Sequence, residues 1–195
     1  SAGVDSMVLF HTFLAQQLPF SVAHVNYKLR GEDSEADARM IRELCMLHHI
    51  PFHERTLDLG EQLTLEGGNL QQEARTIRYD FFKELVSEAP DVLIVTAHHQ
   101  DDQIETFFLH LFRNSGLAGL AGMHELRGGI FRPFLTIPKS KIIAYAQAHG
   151  IRWREDQSNK NLAYRRNIWR NQLLPELIAA LPDLKPSIQL IQKNF

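Results

Sequence analysis

Ser1-Ala2-Gly3-Val4-Asp5-Ser6, with the apolar run Met7-Val8-Leu9-Phe10 directly behind it, is the stretch whose reading decides the fold. Small residues let backbone N–H groups come close to an anion. The helix expected over residues 6–17 adds unsatisfied N–H groups and the positive end of its dipole. Ser1 and Ser6 supply hydroxyls, and Asp5 supplies a carboxylate where a magnesium ion on a phosphate could sit. This is not a Walker A loop, since no G-x-x-x-x-G-K-S/T pattern is present. An ordinary turn before a core helix has a similar composition, so the meaning of these six residues depends on the rest of the chain.

Beyond this helix, short β-branched or apolar runs alternate with helical ones, the pattern of an α/β protein with a parallel, Rossmann-like sheet and helices on both faces. Strands are expected at residues 20–26, 52–57 and 92–97, the last a continuous apolar run suited to the buried middle of a sheet. Helices are expected at 34–49, where Ser34 and Asp37 resemble an acidic capping box, at 69–87 with Asn69 as cap, and at 101–112. Residues 115–129, dotted with glycine, read as a loop or hairpin. Pro138 begins a helix that Gly150 ends. A further helix around 162–172 and a small helical C-terminal segment complete the chain. A phosphate loop in such a sheet normally follows a strand, and without that strand neighbouring edges lie uncovered. The sequence therefore predicts that the natural protein starts upstream of Ser1.

The 195 residues are 44% apolar and 23% charged, an ordinary globular composition. It suits one domain with an appendage, read as residues 1–135 and a basic part at 136–195. No apolar run approaches the length of a membrane span. The single Cys45 excludes an internal disulfide or a Cys-x-x-Cys site within the chain and fits a reducing cytoplasm. The net charge of −2 conceals an asymmetry. Residues 1–126 carry 19 acidic and 9 basic side chains, whereas residues 127–170 carry 10 basic and 2 acidic ones. An acidic body with a basic C-terminal third fits a protein that meets a polyanion on one side. Scattered solvated charge, or arginines serving a small phosphate ligand, would give the same count.

His98-His99-Gln100-Asp101-Asp102-Gln103-Ile104-Glu105-Thr106 follows the strongest strand, at the carboxyl edge where α/β sheets bind ligands. Asp102 and Glu105 share a helix face and repel unless a cation lies between them; magnesium on a triphosphate would fill that role. Acids favouring a helix N-terminus are the plainer reading. Arg75 and Arg78, three apart on the helix expected at 69–87, suit phosphate oxygens, or alternatively pair with Glu73 and Glu84. His24 to Arg30 leaves a strand end and could present polar groups to a nucleotide base. Arg152-Trp153-Arg154 and Tyr164-Arg165-Arg166-Asn167-Ile168-Trp169-Arg170 interleave basic and aromatic side chains, which suits RNA. Tryptophans in the core with arginines outside would produce the same spacing.

Taken in order, these motifs resemble the tRNA(Ile)-lysidine synthetases, within the N-type ATP pyrophosphatases of the PP-loop superfamily. The opening loop is similar to S-G-G-x-D-S, His24 to Arg30 to H-V-N-H-x-L-R, and Ala74 to Tyr79 to A-R-x-x-R-Y. His98 to Thr106 resembles H-H-x-x-D-x-x-E-T, and Arg113 to Met123 resembles R-G-x-G-x-x-G-L-x-G-M. Arg132-Pro133, Glu155 to Asn159 and Tyr164 to Arg170 resemble R-P-L, E-D-x-S-N and Y-x-R-N-x-x-R. The resemblance implies an adenine nucleotide alpha hydrolase-like fold and a ligase that adenylates C2 of the anticodon wobble cytidine with ATP. Free L-lysine then displaces AMP. It implies isoleucine tRNA as partner, magnesium with the ATP, cytoplasmic residence, no membrane, and room for a homodimer. By the same resemblance Ser1, Ala2, Gly3, Val4, Asp5 and Ser6 hold pyrophosphate, with His24 and Asn26 on the nucleotide. Asp5, Asp102 and Glu105 would hold magnesium or help activate the nucleophile, while Arg78 and Arg170 would stabilise phosphate charge.

Three positions depart from the pattern: Ala2 stands for a loop glycine, Tyr27 for a histidine, and Asn114 for a glycine. If the backbone at Ala2 needs positive φ, nucleotide binding weakens. A thiolase of the same superfamily would need sulfur-carrying cysteines, which Cys45 does not supply. Other PP-loop pyrophosphatases and a non-catalytic nucleotide-binding module are the remaining alternatives. Glu105→Gln is expected to abolish adenylation and spare the fold, as a substitution on a helix surface. The nucleotide reading requires the opening loop and the Asp102–Glu105 helix start to converge on one triphosphate.

Overall fold

The extended backbone of Gly3, with φ −70° and ψ 156°, turns the chain directly into α1 (Val4–Ala15). The structure, a computed structural model, describes residues 1–60, 70–87, 89, 91–113, 116–155 and 165–193. The chain divides into two compact units: residues 1–94 with 151–154, and residues 95–150 with 155–195. Residue 135, the boundary read from sequence, falls within the second unit.

In the first unit α1 starts two residues before the expected position 6, because the Met7 N–H closes the first turn onto the Gly3 carbonyl at 3.0 Å. Strand β1 (Val22–Asn26) pairs in parallel with β2 (Phe52–Thr56), Val22 opposite Phe52 and Asn26 opposite Thr56. Parallel strands need a crossover, which here runs through α2 (Glu32–Leu47). Ser34 is not its cap. Gly31, at φ 51°, turns the chain three residues earlier, and Glu32, Asp33 and Glu35 set negative charge at the positive end of the helix. Ser34 instead sits inside the first turn, its hydroxyl accepting from the Arg30 N–H at 3.1 Å.

Ala2, Phe10, Ile41 and Cys45 form the buried core of this unit, packed by Phe20, Val22 and Phe52. Burying Phe10 and Ile41 stabilises by about 1.5–3 kcal/mol each. Helix α3 (Leu70–Ser87) joins through the Tyr27 hydroxyl, which donates to the Ala74 carbonyl at 2.5 Å, and through Arg55, which pairs with Glu84 over the Phe81 ring. Asn69 and the Gly67-Gly68 break lie outside the described residues.

The expected central strand at 92–97 shortens to β3 (Ile94–Val95). Among the described residues it neighbours β5, in the order β3-β5-β4, and Val92 and Leu93 just ahead of it are 53% and 48% exposed. Helix α4 (Gln100–Leu111) follows. The glycine-dotted segment contains a short helix, α5 (Gly116–Leu120), that its composition hid. It then forms the expected hairpin, β4 (Leu126–Arg127) against β5 (Ile130–Phe131). Gly128 and Gly129 take φ 59° and 75° at its tip, as a tight primed turn demands. Pro138 caps α6 (Lys139–Ala148), which ends before Gly150 at φ 61°.

Of the helix expected at 162–172, residues 162–164 lie outside the described residues; from Arg165, α7 (Arg165–Ile168) passes into a π-helix (Trp169–Leu173) and then α8 (Leu174–Ala180). The final helix is α9 (Leu184–Lys193). Ile104, Phe107, Phe108, Leu174 and Ile188 make the core of this second unit. Among the described residues no helix is long and apolar enough to cross a membrane.

Candidate functional site

The first unit builds an anion cradle from its opening loop. Gly3 is the N-cap of α1 and makes no side-chain cap bond to the first turn, whose acid is Asp5. Ser1 Oγ and Ser6 Oγ lie 2.9 Å apart across the turn. Ala2 is 1% exposed and seated in the core, and it is not among the residues with positive φ. The alanine in place of glycine is therefore accommodated, and the positive φ that would have weakened nucleotide binding is not required there. A Cβ on Gly3 would meet nothing closer than Ser1 Oγ at 3.7 Å. The fold itself does not require glycine at position 3.

His24 and Arg78 belong to the same region. Burial first, and more weakly the Arg78 guanidinium, push the His24 imidazole down to about 4. His24 stacks on Phe52, and its Nε2 is buried without a hydrogen-bond partner among the described residues. Arg78 is exposed on α3, over the Tyr27 ring at 5.8 Å. Asn26 is turned elsewhere: its amide donates to Glu35 at 2.9 Å and its carbonyl accepts from the Lys28 N–H at 3.0 Å, which holds the turn after β1. Arg75 lies over its helix neighbour Tyr79, and Glu84 goes to Arg55, so the pairing of Glu84 with Arg75 or Arg78 does not form. Arg154 bonds Asp37 and Asp33, and its N–H holds the Ala2 carbonyl at 2.9 Å. The basic–aromatic segment at 152–154 thus braces the loop.

The second unit holds Asp102, Glu105 and Arg170 together, with Arg166, set among RNA-facing side chains by the sequence reading, as a fourth member. Arg170 Nε donates to Glu105 Oε1 at 2.6 Å, and its Nη2 donates to Glu105 Oε2 at 2.9 Å and Asp102 Oδ1 at 3.0 Å. Arg166 Nε donates to Glu105 Oε2 at 2.6 Å and its Nη2 to Asp102 Oδ1 at 2.8 Å. The remaining oxygen, Asp102 Oδ2, accepts from the His99 N–H at 3.0 Å, in a capping box with the His99 ring. Burial alone would raise the Asp102 carboxyl, but His99 and Arg166 outweigh it and hold it below the usual carboxylate range. The signal for Arg166 was in the chain: arginines at i, i+4 match acids at i, i+3 on a facing helix.

Two expectations change here. The acids need no metal to relieve their repulsion, because two guanidiniums already lie between them. Glu105 is not on a helix surface either, being 2% exposed. All four carboxylate oxygens accept hydrogen bonds, so the donor set as arranged does not fit magnesium. Nearby, Asp101 is held by Lys185 at 2.5 Å and by the Lys139 N–H at 2.8 Å. The motif residues at 156–164 lie outside the described residues.

A family model for the PP-loop domain matches residues 1–177. The chain belongs to the PP-loop domain family. A tRNA(Ile)-lysidine synthase of Chlorobaculum tepidum is 37% identical over 199 residues, covering 100% of this chain and 60% of that protein. One from Bacillus subtilis is 35% identical, over 99% of this chain and 42% of its own length. The chain thus spans between two fifths and three fifths of these relatives. A solved U34-tRNA thiolase of Methanococcus maripaludis, with its 4Fe–4S cluster, superposes with a TM-score of 0.77 at 17% identity, over 100% of this chain and 69% of that one. At that identity the likeness concerns the fold alone, an α/β PP-loop fold with a parallel sheet, helices on both faces and a helical C-terminal segment.

Proposed function

We propose that this PP-loop chain carries the ATP-using part of a tRNA(Ile)-lysidine synthetase. ATP adenylates the C2 oxygen of the wobble cytidine in an isoleucine tRNA anticodon and pyrophosphate leaves. The amine of free L-lysine then attacks C2 and AMP departs, giving lysidine in the cytoplasm. The observation that carries the reading is the start of α1, which has no side-chain cap bond, behind a turn whose Gly3 leaves room for a ligand. That arrangement suits pyrophosphate. The Nε2 of His24, without a hydrogen-bond partner among the described residues, and the exposed Arg78 in the same unit support a nucleotide beside it.

In this reading Ser1 to Ser6 cradle the leaving pyrophosphate and Arg78 meets phosphate oxygens. Magnesium accompanying ATP would neutralise phosphate charge, with Asp5 the loop carboxylate nearest to that task. Glu105 and Asp102, fixed by Arg166 and Arg170, supply a rigid array of paired charges for lysine or for the adenylated base.

The test is pyrophosphate release by the chain with ATP, L-lysine and an isoleucine tRNA transcript. Sustained release that needs all three supports the synthetase. ATP binding without turnover supports a nucleotide-binding module and overturns the proposal.

A further inference from the structure

Away from the acid cluster, the second unit exposes an aromatic surface that the proposed chemistry leaves unused. Phe112, just past the end of α4, is 67% exposed. It stacks with Trp169 at 5.4 Å and 25°, and Trp169 stacks with Phe108 at 4.7 Å and 16°. An open groove of about 300 Å³ runs along this surface, lined by Leu109, Phe112, Arg113, Arg165 and Trp169. That is the low end of small-ligand pockets and enough for one planar base.

The groove and the acid cluster are built on the same three elements, α4, α7 and the π-helix. On α7 and the π-helix, Arg166 and Arg170 turn to Glu105, while their neighbours Arg165 and Trp169 line the groove. The widened π turn begins at Trp169, and such turns recur at functional sites. Along α4, Glu105 and Phe112 are two turns apart, about 10 Å. The basic–aromatic alternation at 165–170 is thus sorted by the fold into two faces, one committed to internal ion pairs and one open to a ligand.

We propose that this groove is a stacking platform for an unpaired RNA nucleobase, with Arg113 and Arg165 taking the flanking phosphates; it rests on the reading of an RNA substrate above. Both arginines are exposed, and neither forms an ion pair among the described residues. An apolar protein segment laid here would desolvate two guanidiniums without repayment, whereas a nucleotide offers a ring for Phe112 and anionic oxygens for the arginines. Stacking reads the face of a base, so the platform favours single strands over duplex and tolerates any base.

The experiment measures binding of a fluorescent single-stranded heptaribonucleotide to the 195-residue chain, beside the same strand with its bases removed and a duplex control. Base–aromatic stacking predicts that F112A weakens binding of the intact strand about tenfold. The abasic strand should bind parent and variant alike, and F112Y should restore affinity. Replacing Arg113 and Arg165 with alanine should lower the slope of log affinity against log salt by about 1.4. Phe112 is a surface position, and an unchanged melting temperature for F112A shows that the fold is intact. Equal affinity of F112A and parent, or no binding of the heptamer by the parent, overturns the platform. Indifference of RNA to F112A is also the result expected if a protein segment occupies the groove. Pyrophosphate release with full tRNA reads the synthetase proposal separately. Turnover with normal KM for tRNA in F112A sinks the platform and spares the enzyme, whereas stacking without turnover does the reverse.

Discussion

Arg170 grips Glu105 as a fork, with Nε on one carboxylate oxygen at 2.6 Å and Nη2 on the other at 2.9 Å. The carboxylate is 2% exposed, and the guanidinium side chain is 33% exposed. The strong geometry sits where water is excluded from the acid and still reaches the base. A bidentate fork between planar groups fixes distance and angle together. It also fixes the π-helix against α4, because both partners are short of freedom once the second arginine, Arg166, joins.

Replacing Glu105 by glutamine leaves two guanidiniums sharing the one Asp102 carboxylate beside a neutral amide. Removing one partner of a buried pair costs about 3–5 kcal/mol, and the partial exposure of the arginines brings the expectation to the lower end of that range. Thermal unfolding followed through tryptophan fluorescence should show a clear drop for E105Q. An unchanged melting temperature would mean the cluster contributes nothing to the fold.

Gly3→Ala should separate fold from ligand. The backbone there is ordinary, and the added Cβ meets only Ser1 Oγ at 3.7 Å. The unliganded melting temperature should stay within about 0.5 kcal/mol equivalent of the parent. ATP affinity should fall, since the methyl group stands where a phosphate would approach the helix N-terminus. Calorimetric titration with ATP checks this, and equal affinity would place the phosphates elsewhere.

His24 is held neutral. Its folded value of about 4 lies below the ordinary 6.5, so the unfolded chain binds the extra proton between those values. The stabilisation is therefore complete above pH 6.5 and is lost as pH falls towards 4, by roughly 3 kcal/mol in all. Asp102 adds a loss in more acid solution. Its carboxyl is depressed, so its contribution is full above about pH 4 and disappears as pH falls through the lower folded value. Urea unfolding at stepped pH should show the first loss vanish in H24F and the second in D102N.

Gly122 stands at φ 71°, and a Cβ there would lie 2.7 Å from Gln103 Oε1. Gln103 uses both ends of its amide on the Met123 backbone, at 2.6 and 2.7 Å, so it cannot yield without breaking that clamp. Gly122→Ala should cost about 1–2 kcal/mol for the left-handed backbone alone. It should also release Gln103, which the side-chain amide signals in an NMR spectrum would report.

What could be read from the chain by itself was whatever local chemistry dictates. The small-residue turn before an apolar helix, the alternation of strands and helices, Pro138 and Gly150 as helix bounds, and the order of the motifs all follow from neighbours within a few residues. Only the tertiary structure decided what the charged side chains face. Asp102 and Glu105 invited a metal on paper, yet Arg166 and Arg170, some sixty residues later, fill that place, because desolvated carboxylates take whichever cations the packing brings. The same holds for Trp169, whose ring could have been core or contact until α4 set Phe108 and Phe112 beside it. Side-chain partners distant in sequence are chosen by packing, and packing carries no period that a linear pattern can display.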